Sequence, residues 1–122
     1  MIGQFVSMLF LARDLAHIEH LRVRGPGSYA AHQALGGFYN DVVGLADSLI
    51  EAYQGRTGNL VQIERFGDTN PQNIITTLEA QLKWLEANRY EAVPEDDSPL
   101  QSIVDEIATL YLRTLYKLKN LQ

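Results

Sequence analysis

The chain of 122 residues carries 10 basic and 15 acidic side chains, a formal charge of -5, 46% hydrophobic residues and no cysteine. That length buries roughly two thirds of the surface of the unfolded chain, enough for a single domain whose core needs no disulfide or structural metal. The missing cysteine excludes a disulfide scaffold, a zinc ribbon and a thiol nucleophile. No leader peptide or membrane span is expected, and a reducing cytoplasm is the expected location. Without a lysine-rich tail the acidic balance predicts no DNA binding, since phosphate affinity comes from clustered Lys and Arg.

Glycine and proline clusters at Gly25-Pro26-Gly27, Gly55 to Gly58, Gly67 to Pro71 and Pro94 to Pro99 divide the chain into four segments of helical length. In the first, Ile2, Phe5, Val6, Leu9, Ala12, Ala16 and His20 recur at three- and four-residue steps, which predicts a helix over 2–23. The second opens at Ser28 as N-cap and carries Tyr29, His32, Leu35, Tyr39, Val43, Ala46, Ile50 and Tyr53 before Gly55 ends it. Its interior Gly36, Gly37 and Gly44 each weaken a helix by about 1 kcal/mol relative to Ala, so close approach of another helix is expected there.

Asn70-Pro71 places a cap ahead of a proline at the first helical position, and the stripe from Ile74 to Ala87 predicts a third helix over 71–91. Ser98-Pro99-Leu100-Gln101 has the form of a capping box, and Leu100, Ile103, Val104, Ile107, Leu110, Tyr111, Leu115, Leu118 and Leu121 supply the core face of a fourth helix. Lys117 and Lys119 complement its negative end. The middle connection, Gly55 to Asn70, is longer than adjacent bundle helices need, which lets the second and third helices run parallel. The expected fold is therefore an all-α four-helix bundle with a long crossover between helices 2 and 3, the ferritin-like arrangement. Leu60, Val61, Ile63 and Phe66 are apolar enough for the crossover to pack on the bundle as a short helix or strand.

Three histidines, His17, His20 and His32, fall within the first 32 residues. No Glu is followed three residues later by His, so the usual di-iron motif within one bundle is disfavoured. A different set stands out: His20, then His32 twelve residues on, Asp47 fifteen further and Glu51 four beyond that. Asp47 and Glu51 share a helix face. Carboxylate oxygens with imidazole nitrogens suit ferrous iron, manganese or zinc. Along a straight helix, however, His32 stands about 22 Å from Asp47, so the four can serve one site only across two subunits.

His17, outside that spacing, reads as a packed or solvent-facing residue. Asp47 and Glu51 taken alone read equally as a solvated helix edge. Tyr39, Tyr53 and Trp84 read as core before electron donors, and Glu95-Asp96-Asp97 as a solvated loop that helps start the fourth helix. Hydrolase and nucleotide-binding readings find no supporting motif.

Residues 16–58 resemble the Dps family of mini-ferritins, the DNA-binding proteins from starved cells. The string from His20 through Gly25-Pro26-Gly27-Ser28-Tyr29 to His32 is similar to the family's first histidine, glycine, aromatic and second histidine, and Asp47-Ser48-Leu49-Ile50-Glu51 to its Asp-x-x-x-Glu signature. Leu21 stands where the family has tryptophan, and Gly36 where it often has an extra acidic ligand. The basic N-terminal extension of some members is missing. The resemblance implies a ferroxidase centre at a homodimer interface, with His20 and His32 of one subunit facing Asp47 and Glu51 of the other. It also implies assembly up to a dodecamer, and iron storage or protection from peroxide. A looser similarity is to small ferritin-like proteins of bacteriophages, which would place the chain in an infected cell or virion. The alternative from another class is a non-catalytic helical scaffold, or a phage virion-associated interaction protein, with a degenerate metal site.

Overall fold

The computed structural model describes residues 1–65 and 73–122. Four helices account for most of them: α1 (Ile2–Arg22), α2 (Ser28–Thr57), α3 (Ile74–Ala92) and α4 (Ser98–Asn120), with no strand among the described residues. The expected apolar faces of α1, α3 and α4 are largely the buried ones, save that Ala87 and Leu121 are exposed. α2 is rotated from its expected stripe, burying Phe38, Val42 and Leu49 while Tyr29 is exposed and Tyr39, Val43 and Tyr53 are only partly buried. Phe5, Val6, Leu9, Ala12 and Ala16 of α1 meet Leu35, Phe38, Val42, Ala46 and Leu49 of α2, with Leu78 and Leu85 of α3 and Leu100, Ile107 and Tyr111 of α4 closing the core.

α1 packs on α2 and α3, and α4 packs on the same two, so α1 faces α4 and α2 faces α3 across the diagonals. The ion pair of Arg56 with Asp97 (3.0 Å) joins the end of α2 to the start of α4. Lys119 with Glu79 (2.7 Å) joins the end of α4 to the start of α3. α4 is thus antiparallel to both, and α2 and α3 run parallel. This is the four-helix bundle with a long crossover that the loop lengths predict.

Helix ends differ from the sequence expectation in three places. α2 runs through Gly55 and stops after Thr57, because Gly58 takes the left-handed conformation (φ 73°) and returns its N–H to Gln54 O. At the other end Ser28 is the first helical residue and makes no cap bond; the tight turn needs positive φ at Gly27, which occupies the cap position. α4 is capped by Asp97, whose carboxylate accepts from Leu100 N (3.3 Å), and not by Ser98. Gln101 closes no capping box. Its side chain turns inward and donates to Val93 O and Pro94 O, holding the α3–α4 turn.

The expected helix start at Asn70-Pro71, and Phe66, lie outside the described residues; α3 begins at Ile74 with Asn73 accepting from Ile75 N and Thr76 N. Residues 59–65 of the crossover form neither helix nor strand. They climb along the start of α1 with Val61 and Ile63 packed on the core and Leu60 in solvent. Gly3 makes this possible: a Cβ there would collide with the Gln62 carbonyl. Ser7 Oγ donates to Glu64 O one turn further on.

Candidate metal centre

His20 lies in the last turn of α1 and His32 in the second turn of α2, on the two sides of the short Gly-Pro-Gly turn that makes these helices neighbours. The turn brings the two rings face to face, with centroids 3.6 Å apart and planes 18° from parallel. Each ring also reaches across to the other's backbone: His20 Nδ1 lies 2.7 Å from His32 O, and His32 Nδ1 lies 2.8 Å from His20 O. A carbonyl oxygen only accepts, so each Nδ1 carries the hydrogen. In the neutral imidazole this leaves the lone pair on Nε2, the tautomer in which a histidine ligates a metal while its other nitrogen is held by a carbonyl.

Room for the pair comes from Gly36. A Cβ at Gly36 would stand 3.1 Å from His20 Cε1, tighter than ordinary packing. The close helix approach expected of the α2 glycines thus occurs at Gly36, and its partner is an imidazole ring. Gly37 and Gly44 are exposed and have nothing within 4 Å of a built Cβ. Leu21, beside His20 in sequence, points away from the core and is 72% exposed.

The sequence assigns His17 no partner, yet the structure gives it one. Its ring stacks on Tyr39 at 4.1 Å, and the same tyrosine meets His20 edge-on at 5.2 Å. His17, His20, His32 and Tyr39 therefore form one aromatic cluster along the α1–α2 seam. The signal was present as spacing: His17 precedes His20 by three residues and Tyr39 follows His32 by seven, so each pair shares a helix face. Tyr39, Tyr53 and Trp84 are partly buried against the core, as expected of packing residues.

Asp47 and Glu51 are exposed on α2, well along the helix from the histidines. A single chain does not bring the four residues together, and among the described residues no group of three or more His, Asp or Glu side chains is placed to hold an ion. None of the described helices is long and apolar enough to cross a membrane.

The model for a family of unknown function, DUF5856, matches residues 20–118, and the chain belongs to that family. No curated protein and no solved structure matches the chain significantly.

Proposed function

We propose that this family member oxidises ferrous iron at a site completed by two copies of the chain, with His20 and His32 of one facing Asp47 and Glu51 of the other. The observation that carries the reading is the reciprocally tethered histidine pair, which fixes both rings in the ligating tautomer. Register supports it too. The point midway between His32 and the Asp47/Glu51 pair falls at Asn40 and Asp41, on the exposed side of α2 and flanked by Gly37 and Gly44. An antiparallel crossing of two α2 helices at that point aligns each His32 with the partner's carboxylates, and the two glycines permit close backbone approach.

Nearly parallel rings 3.6 Å apart hold their in-plane lone pairs in separate planes, so one ion cannot lie in both. Each imidazole would serve its own ferrous ion, and the facing carboxylates, by their negative charge, would favour the ferric product. Each ferrous ion gives up one electron. Hydrogen peroxide takes both with two protons, its O–O bond breaks, and two waters leave. Manganese or zinc fits the same donors as a competitor. A closed shell of such dimers, up to a dodecamer, would add storage; an isolated dimer would only detoxify.

Adding ferrous ion to the apo-protein, then peroxide, should produce ferric absorbance in the wild type and lose most of its rate in a His32→Ala, Asp47→Ala variant. Wild-type rates in that variant would contradict the assignment. The alternative, a non-catalytic scaffold or virion-associated interaction protein, is favoured by the same tethers read structurally, since the two carbonyl bonds already satisfy Nδ1 of each ring and pin α1 to α2. Absence of bound iron in the wild type under these conditions would select it.

A further inference from the structure

On the side of the bundle away from α1 and α2, a groove of about 450 Å³ runs between α3 and α4. Leu82 and Leu115 form its floor, while Leu112 and Tyr116, one turn apart on α4, stand 56% and 60% exposed on its wall. The ends of the seam are closed by ion pairs within the chain, Lys119 with Glu79 at one end and Arg89 with Asp105 at the other, both at 2.7 Å. Between them Lys83 and Glu86 line the groove and make no ion pair among the described residues. They are three residues apart on α3, hence neighbours on one helix face.

We infer that this groove is a self-association surface, in which a second copy of the chain docks about a two-fold axis passing between Lys83 and Glu86. Charge selects this occupant. The groove and its closing pairs hold three acids (Glu79, Glu86, Asp105) and three bases (Lys83, Arg89, Lys119), so this face is neutral although the chain is at -5. By contrast, the open face of α2 and the groove it forms with α4 present Asp41, Asp47, Glu51 and Glu106 against Arg113. With no cation bound between them, two copies approaching by that side repel, whereas two approaching by α3–α4 do not.

A two-fold between Lys83 and Glu86 sets each lysine against the partner's glutamate, so an adjacent pair of opposite sign complements itself without any foreign charge. Leu112 is level with that axis, judged from the two ion pairs that fix the register of α3 against α4, and meets its own copy there. The contact removes from water the exposed Leu112 and Tyr116, whose burial is the favourable term, while the swapped ion pairs set the register. The inference is independent of the metal reading, because it uses another face and predicts association without metal.

The test is the mass of the full-length protein in chelator, measured by sedimentation over a range of concentrations, with far-UV circular dichroism confirming folding. Wild type should associate reversibly, and Leu112→Glu, at an exposed position, should weaken the association by about tenfold or more. Lys83→Glu should weaken it as well, and Lys83→Glu with Glu86→Lys in one chain should restore it, because the two-fold then sets the new acid of each chain against the new base of its copy. A wild type monomeric at every concentration, an unaffected Leu112→Glu, or a double reversal as weak as the single one would overturn the proposal. The last result would point to a foreign helix as occupant. Asp47→Ala with Glu51→Ala should leave this equilibrium unchanged while abolishing iron oxidation, so failure of one reading is distinguishable from failure of the other.

Discussion

The two antiparallel helix pairs are held together in different ways. Along the α3–α4 seam the bonds are specific and polar. Tyr111 donates to Gln81 Oε1 (3.1 Å) inside the core, and Arg89 donates to Gln101 Oε1 (2.8 Å), Gln101 O (3.1 Å) and Asp105 (2.7 Å). The α1–α2 seam has no ion pair between its helices among the described residues. It is close-packed through Ala12, Ala16, Ala46 and Gly36, with a stack of aromatic rings at its open edge. A network of side-chain bonds fixes one pair in a single register. The other is set by the room that small residues leave, and that room is filled by two histidines whose reciprocal bonds to each other's carbonyl are its side-chain ties.

Removing a member of the polar network should have the largest effect. Gln101→Ala strips two turn carbonyls of their side-chain donor and Arg89 of one of its three acceptors in a mostly buried setting and should lower stability by about 2–3 kcal/mol in urea unfolding. A loss below roughly 0.5 kcal/mol would mean that the turn is held by packing alone.

Tyr111 gives a smaller effect with a pH signature. Full burial raises its phenol well above the usual value near 10, so the folded state keeps the proton that the unfolded state releases in alkali. Its contribution is complete below pH 10 and is lost above it, by about 1.4 kcal/mol per pH unit. Tyr111→Phe should cost about 1–2 kcal/mol at neutral pH by leaving Gln81 unpartnered, and should flatten the alkaline fall of the unfolding midpoint. An unchanged alkaline slope would show that other groups cause it.

The smallest effects separate the glycines of α2. Gly37→Ala and Gly44→Ala, with open space around the new methyl, should each raise the stability of the single chain by about 0.5–1 kcal/mol. Gly36→Ala should give no such gain, because His20 must move, and its imidazole resonances should shift in NMR spectra. Equal gains at all three positions would remove the steric link between Gly36 and the histidine pair.

Sequence periodicity was sufficient for the four helices, for most core positions of α1, α3 and α4 and for the crossover, because burying one face of a helix leaves a 3.6-residue mark and loop length limits which helices can be neighbours. On α2, apolar on more than one side, it chose Tyr29 and Val43 where Phe38, Val42 and Leu49 are buried. It misplaced the ends. Several residue types near each end can cap, and only geometry decides among Gly55 and Gly58, or Asp97 and Ser98. The inward turn of Gln101 was illegible for the same reason: a glutamine at the third helical position suits a capping box as well as a buried clamp. Of the candidate centre, the spacing of His20 and His32 announced a pair, but not the reciprocal bonds to each other's carbonyl. Those depend on how closely Gly36 lets α1 approach. His17 was passed over because its partner Tyr39 lies on another helix.

The central claim, that each centre draws on two chains, is tested most directly by mixing two inactive variants. One carries His20→Ala and His32→Ala, the other Asp47→Ala and Glu51→Ala. If the site spans two subunits, unfolding and refolding an equal mixture forms mixed dimers with one intact centre each, and about a quarter of the wild-type ferrous oxidation should return. A mixture as inactive as its components, or wild-type activity in either variant alone, would contradict the account.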